Sequence, residues 1–501
     1  MQAKKLNVKD KYRLLTRDLD WEFSYEDRKE AFPYEEFEGI KITDWDKWED
    51  PFRLTMDAYW KYQAEKEKKL YAIYDAFAQN NGHLNVSDAR YVNALKVFLT
   101  AVSPAEFASS NGFAWAGRHY GGAGARVAAQ MQSIDELRHY QTQIHAMSHY
   151  NKYFDGFEEF PHMHDRVWYM SVVKSFFDDC RSSGPFEYIV AVSFAFEYVL
   201  TNLLFVPFMS GAAYNGDMAT VTFGFSAQSD EARHMTLGLE IIKFLLEQHE
   251  DNVPIVQEWI DKWLWRGYRI LADVAMMMDY MLPQKFMSWK EAWELYFEDA
   301  GGALFKDLER YGIKMPDFTE TIKNEKDHIS HQAWWVFYSF GHAAAFHTWT
   351  PTAEELDWLS EKYPDPFDQY YRPRLEAAAE LEAKGERFYT AGLPQLCQTC
   401  QIPMFFTNVD EGKPTEIVYR ESTYNDERFH FCSNECKHIF DREPEKYVHA
   451  WLPVHQIFQG NCGGGGLDEV MEYYRMGLGE MNLDYKGSPD EKRWKKWKGV
   501  A

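Results

Sequence analysis

One five-residue pattern, Asp-Glu-x-Arg-His, occurs twice in this chain, at Asp135-Glu136-Leu137-Arg138-His139 and at Asp230-Glu231-Ala232-Arg233-His234, 95 residues apart. In each copy Glu and His stand three apart, so on a helix they project from one face and can grip one metal ion together. A bare Glu-x-x-His carries little weight, because a chain with this many Glu and His holds roughly one by chance. Three such decoys are present: Glu159/His162 has Pro161 between its members, Glu325/His328 sits in the charged run NEKDH, and Glu427/His430 lies among cysteines. None repeats with its neighbours matched, whereas the two DExRH copies agree at four of five positions. The repeat commits the chain to two helices that each carry a metal-binding pair.

Two further carboxylates complete the set. Glu197 is isolated in the apolar run VSFAFEYVLTNLLF, where an unpaired ionised carboxylate costs several kcal/mol that a metal would remove. Glu106, in LTAVSPAEFASS, precedes Glu136 by 30 residues, and Glu197 precedes Glu231 by 34. The order Glu, then Glu-x-x-His, twice over, matches the known ligand pattern of ferritin-like di-iron carboxylate bundles. Four carboxylates and two imidazoles suit Fe or Mn and are poor for Cu(I), and two such metals can pass two electrons to O2. Asp135 and Asp230 are placed to accept a hydrogen bond from a ligand imidazole, fixing its tautomer. A helix salt bridge with Arg138 or Arg233 is the plainer alternative for each.

Around these residues the hydrophobic spacing is helical, near 53–80, 88–110, 118–148, 165–180, 186–213, 216–249, 253–280, 284–312 and 324–348, with turn signals such as Gly121-Gly122 and Ser183-Gly184-Pro185 between. Strand-type alternation is scarce before residue 390. The fold class is thus mainly α: a ferritin-like di-iron helical bundle with a small C-terminal zinc-binding module built on four cysteines. Expected domains are an extended N-terminal arm (1–60), the di-iron helical domain (61–385), the four-cysteine zinc module (386–460) and a C-terminal loop, helix and tail (461–501). At 501 residues, 46% hydrophobic, the chain can bury a deep site. One segment, Tyr188–Met209, has the length and apolarity of a membrane span. It carries Glu197, lacks flanking Lys/Arg clusters and has no companion, so a helix buried in a bundle is the expectation.

A net charge of −24 repels nucleic acid and anionic membranes and suits basic protein partners. The basic run Lys492–Lys498 is read as a solvated tail. The start, MQAKKLNVKDKYRLL, places charges where an export signal needs apolar residues, so a cytoplasmic location is expected. Cys397-x-x-Cys400 and Cys432-x-x-x-Cys436 form a pattern for a closed tetrahedral zinc site, with an iron–sulfur cluster as the alternative. Cys180 and Cys462 read as a buried small residue and a loop residue. No Gly-x-Gly-x-x-Gly follows a strand, so neither flavin nor nicotinamide is expected on this chain and electrons must arrive from another protein.

With these residues in hand, the chain resembles the large oxygenase subunit of bacterial multicomponent monooxygenases, nearest to phenol hydroxylases, over nearly its whole length. The resemblance implies Glu106, Glu136 and His139 as ligands of one iron, and Glu197, Glu231 and His234 as ligands of the other. It implies that Thr201, four residues after Glu197, helps handle protons during O2 activation, and that Asn202 and Gln228 match positions linked to gating and effector binding. It further implies a pocket for an aromatic ring lined by Val102, Gln143, Phe176, Phe196 and Phe205. Zinc in the cysteine module is implied as well. So is a reaction in which the reduced centre meets O2 and an electrophilic oxidant attacks the ring, most simply phenol to catechol. The implied partners are beta-type and gamma-type oxygenase subunits, a small effector protein and a reductase carrying FAD and a 2Fe-2S cluster and drawing on NADH, in a dimer of heterotrimers. Alternatives are a toluene or alkene monooxygenase subunit, a ribonucleotide reductase small subunit, an acyl desaturase, or an iron-storage bundle. The ribonucleotide reductase subunit usually has Asp as its first ligand where this chain has Glu106, and neither it nor a desaturase accounts for the cysteine module or Thr201. Storage bundles are built from much shorter chains.

Overall fold

The computed structural model describes residues 5–17, 24–154, 156–159, 164–340, 348–386, 394–404 and 420–450, with single residues and short runs elsewhere up to residue 500. His162 of the first decoy, residues 341–347 of the expected last bundle helix, the apolar run at 405–408 and most of the chain after 450 lie outside the described residues.

Seven helices carry the site: α1 (Met56–Gln79), α2 (Arg90–His119), α3 (Ala123–Tyr150), α4 (Ser171–Arg181), α5 (Pro185–Tyr214), α6 (Met218–Gln248) and α7 (Asn252–Met276, continued by a wider turn over Met277–Met281). Helices α2 and α3 are joined by the expected Gly121-Gly122 turn, where an added Cβ on Gly122 would lie 2.5 Å from the Trp45 ring. Helix α6 packs along α5, and its Gly238, one turn beyond His234, permits backbone approach: a Cβ there would sit 2.6 Å from the carbonyl carbon of Ser193. That contact is what draws the second DExRH motif toward Glu197. Within α5, residues Val190–Leu200 wind as a wide π-type stretch, a geometry concentrated at functional sites because it re-aims side chains within an otherwise regular helix. Helix α2 runs through Pro104, which removes one backbone donor two residues before Glu106.

Among the described residues α5 is the one helix long and apolar enough to cross a membrane, and 78% of its most apolar window is buried inside the molecule. Several boundaries depart from the periodicity reading. The stretch expected over 324–348 is broken into Thr319–Glu325 and Ile329–Phe340, because Glu325 turns inward to pair with Arg269. Further helices at Ala353–Lys362 and Arg372–Ala383 fall outside the expected set; they bury few side chains, so their apolar stripe is thin. The N-terminal arm, expected to be extended, contains helices at Val8–Thr16, Arg28–Ala31 and Tyr34–Phe37 and is anchored on the bundle. Gln248 Oε1 accepts hydrogen bonds from Thr43 N, Thr43 Oγ1 and Asp44 N, at 2.8–3.0 Å.

After the helical body, a two-stranded antiparallel hairpin, β1 (Arg420–Tyr424) and β2 (Glu427–Phe431), leads into α8 (Asn434–Arg442). The cysteine pairs flank this hairpin.

Candidate metal centre

Four helices deliver the expected ligands to one buried point: Glu106 from α2, Glu136 and His139 from α3, Glu197 from α5, Glu231 and His234 from α6. Two overlapping donor sets form there, Glu106/Glu136/His139 and Glu136/Glu231/His234, each with its donor atoms within 4.8 Å of one another. His139 Nδ1 lies 3.5 Å from Glu106, 3.6 Å from Glu136 and 3.5 Å from Glu231 carboxylate oxygens. His234 Nδ1 lies 3.1 Å from Glu136 and 3.5 Å from Glu231. Glu136 thus belongs to both sets. Glu197 stands outside both, its two oxygens accepting from Gln132 Nε2 at 3.0 and 2.9 Å.

His139 Nδ1, His234 Nδ1 and Glu231 Oε2 are buried with no hydrogen-bond partner. Unpaired buried polar atoms are costly, and three of them converging on a carboxylate cluster is what a pair of cations would satisfy. The electrostatics say the same. Burial pushes Glu106 up to about 8, and burial with the charges of Glu136 and Glu231 pushes Glu197 well above the ordinary carboxylate range. Burial opposes a charged His234, but the Glu136 and Glu231 carboxylates outweigh it and push the imidazole up to about 10. Protons held on Glu106, Glu197 and His234 would compete with a cation, and metal binding would displace them. The residues therefore fit two metal ions.

The outward nitrogens of both imidazoles are held crosswise. His139 Nε2 pairs with Asp230 Oδ2 at 3.1 Å, and His234 Nε2 with Asp135 Oδ2 at 3.3 Å. Each Asp steadies the imidazole of the other motif, which leaves every Nδ1 turned toward the cluster. The salt-bridge alternative also holds: Arg138 reaches Asp135 at 3.1 Å and Asp230 at 3.3 Å, and Arg233 contacts Asp135. Helix α1 supplies partners that the sequence reading missed. Gln63 Nε2 bridges Asp135 Oδ1 at 2.7 Å and Asp230 Oδ1 at 2.8 Å, Tyr59 OH donates to Asp135 Oδ1 at 2.7 Å, and Lys66 pairs with Asp230. No local signal marks Tyr59, Gln63 or Lys66, since their partners lie more than 70 residues away.

An apolar cavity of about 70 Å3 adjoins the cluster. Glu106, Glu136, Glu197 and Glu231 lie on its wall with Val102, Thr201, Phe196 and Phe205, while Val97, Phe98, Val173, Ile270 and Val274 are among the rest. Phe176 does not line it; Phe177 does, and Phe176 packs instead against Phe196 and Trp263. One residue is a rotation of about 100° on a helix, enough to exchange wall for core. Gln143 is also absent from the wall: it is fully buried, donating to Glu106 at 3.1 Å and accepting from Ser103 at 2.6 Å. Thr201 Oγ1 donates to the Phe196 carbonyl five residues back, at 3.1 Å, closing the wide turn. Asn202 faces a separate cavity with Tyr198, Thr236 and Tyr296. Gln228 is half-buried on α6 and lines neither cavity. Asp273 also lines the first cavity, and the sequence reading passed over it. Like Glu197 it is a lone carboxylate in an apolar run, RILADVAMMM, and that signal could have found it.

The decoys have other partners. Glu325 pairs with Arg269, His328 Nδ1 with Tyr371 OH at 2.8 Å, and His430 with Glu421 at 3.1 Å. The four cysteines meet: all Sγ atoms lie within 4.8 Å of one another, with Cys400–Cys432 at 3.6 Å and Cys432–Cys436 at 3.7 Å. Metal–sulfur bonds of about 2.3 Å in a tetrahedron place sulfurs about 3.8 Å apart, so the spacing fits one metal ion. Cys180 and Cys462 are buried and outside this set.

Comparison with known proteins gives the same outline. Residues 21–249 match the methane/phenol/alkene hydroxylase family, and residues 409–451 match the YHS domain, which takes in Cys432 and Cys436. The phenol 2-monooxygenase oxygenase component of Pseudomonas sp. (strain CF600) is 68% identical, over 99% of this chain and 96% of that protein. The alkene monooxygenase oxygenase alpha subunit of Xanthobacter autotrophicus is 28% identical, over 94% of each. The crystal structure of xenon-pressurized phenol hydroxylase from Pseudomonas sp. OX1 superposes with a TM-score of 0.94 at 68% identity, covering 98% of this chain and 100% of that one.

Proposed function

Because this chain belongs to the methane, phenol and alkene hydroxylase family, we propose that it is the oxygenase component that hydroxylates phenol to catechol, its donor sets holding two irons and its four cysteines one zinc. The observation that carries this reading is the convergence of two orphaned imidazole nitrogens on a shared Glu136, beside a cavity whose wall is otherwise almost wholly apolar. The identity of 68% to a phenol 2-monooxygenase, against 28% to an alkene monooxygenase, favours a phenol over an alkene as substrate.

When bound, two irons would supply the oxidising chemistry that puts one oxygen atom of O2 on a ring carbon. The rest falls to the chain. Glu106, Glu136 and His139 would hold one ion, and Glu197, Glu231 and His234 the other, with Glu136 in reach of both donor groups; Glu197 accepts from Gln132 in this structure. Asp135 and Asp230 keep both imidazoles in the tautomer that presents Nδ1. The apolar wall keeps water from the oxidant and gives the ring a dry seat. Thr201 Oγ1, on that wall, can hold a proton between the Phe196 carbonyl and the cavity. A 70 Å3 space is about half of the 150 Å3 cavity that accepts benzene, so the wall must yield as the ring enters. That calls for an opening signal, the part we assign to an effector protein through the faces bearing Asn202 and Gln228.

The balance is phenol, O2, NADH and a proton giving catechol, water and NAD+, with NADH oxidised on a flavin and iron–sulfur reductase. Beta-type and gamma-type subunits would complete a dimer of heterotrimers in the cytoplasm. Metal analysis after co-expression with the partner components should find about two irons and one zinc per chain, and catechol should form only when the reductase and NADH are present. His139→Ala and His234→Ala should each lose iron and keep the cysteine-bound metal. Retention of both irons in both variants would sink the assignment.

A further inference from the structure

Among the described residues, Asp273 is the one ionisable group on the cavity wall outside the four metal-site glutamates. It projects from α7, which contributes nothing to either donor set, and its wall neighbours on that helix are Ile270, Val274 and Met277. Its Oδ2 is buried and has no hydrogen-bond partner. A carboxyl oxygen so placed lowers stability relative to an apolar side chain of similar size. Such an uncompensated polar group on a cavity wall marks a place where a ligand supplies the missing partner.

We propose that Asp273 binds the hydroxyl group of a hydroxylated aromatic ring in this cavity and thereby sets the preference for phenols over unsubstituted arenes. This deepens the functional reading above and rests on it. Burial pushes the Asp273 carboxyl up to about 8, so at neutral pH it is a carboxylic acid. It can accept the phenolic O–H through its carbonyl oxygen or donate its own O–H to the phenolic oxygen. A neutral acid also spares the cavity a second charge beside an oxidising centre. Two hydroxyls also lie on the wall, those of Ser109 and Thr201, and that of Thr201 already donates to the Phe196 carbonyl; of the three side chains only Asp273 has a buried oxygen without a hydrogen-bond partner. Sites that hydrogen-bond a substrate hydroxyl discriminate sharply against rings lacking it, because their own polar group is then left unpaired.

The test compares wild type, Asp273→Leu and Asp273→Asn, each reconstituted with the partner components, on phenol and on benzene. Asp273→Leu should lower kcat/KM for phenol by about 10- to 100-fold, leave benzene within about twofold, and lower the share of catechol among the dihydroxybenzenes formed. Asp273→Asn, which keeps a donor and an acceptor, should restore most of the preference. Both variants should hold iron as wild type does, and Asp273→Leu should melt no lower, since an unpaired carboxyl has been removed. Equal losses on phenol and benzene, or unchanged phenol kinetics in Asp273→Leu, overturn the assignment while leaving the functional reading intact. A wild-type enzyme that oxidises benzene and not phenol overturns both.

Discussion

At the residue scale the site is governed by cross-linking between its two halves. Since Asp230 holds His139 and Asp135 holds His234, damage to one motif should appear at the other. Asp230→Asn should speed iron release chiefly from the set containing His139, by about 10- to 100-fold, whereas Gln63→Leu, which removes the one donor that bridges both aspartates, should speed release from both sets alike. Timed transfer of iron to a colorimetric chelator separates the outcomes: two phases for Asp230→Asn, one for Gln63→Leu. A single phase in both variants would mean the cross-pairing is immaterial. The candidate ligands could be picked out because their pattern is written locally, as an i, i+3 pair repeated with its neighbours. Gln63 and Tyr59 were not, because an amphipathic helix with Gln and Tyr looks the same whether or not two aspartates wait across the bundle. Phe176 and Phe177 differ by one position in an apolar pair, and periodicity does not decide which of two adjacent phenylalanines faces a hollow.

Among the elements, α5 bears the greatest demand, being apolar, wide-turned around Glu197 and buried on nearly every side. Its N-terminus is finished by the arm: Glu38 accepts from the backbone N–H of Glu187 at 2.8 Å and of Phe186 at 3.2 Å. An anionic or acceptor side chain on the first N–H groups of a helix satisfies donors that have no partner within it. Gly184 makes room, since a Cβ there would collide with the Glu38 carboxyl. Glu38→Ala and Gly184→Ala should each lower the unfolding free energy by about 1–2 kcal/mol, and the double variant should cost little more than the worse single one, because both act by removing the same cap. Additive losses, measured by denaturant unfolding, would show that Gly184 serves some other purpose. The seven site helices could be read from the sequence because each buries a full stripe over many turns. The arm's helices at Arg28–Ala31 and Tyr34–Phe37 could not, since four residues supply no period.

At the scale of the whole molecule the two candidate metal centres share their framework. Consecutive turns of α7 serve them in order: Trp265 Nε1 donates to Cys436 Sγ at 3.2 Å, Arg266 reaches the Thr399 carbonyl at 2.9 Å, and Ile270, Asp273 and Val274 then line the cavity. Helix α4 does the same with opposite faces, Ser175 donating to the Cys400 carbonyl at 3.0 Å while Val173 and Phe177 form cavity wall. Arg266 ties the two helices together through Asp179 at 2.8 Å and Ser175 at 3.0 Å. A module whose four cysteines would be fixed by one metal ion therefore packs on two helices that line the cavity, and it is placed as a brace rather than an appendage. Structural metal sites hold their fold through the metal itself, so Cys432→Ser should release the cysteine-bound ion and loosen the brace. Hydrogen exchange followed by mass spectrometry should then show lost protection in Ser171–Arg181 and Asn252–Met276 along with the hairpin at 420–431, while Ala123–Tyr150, which holds Glu136 and His139, keeps its protection and the irons stay bound. Turnover of the aromatic substrate should fall even so, because the cavity wall has lost its support. If exchange rises in the hairpin alone, the module is independent of the bundle, and the chain of contacts from cysteine to cavity transmits nothing.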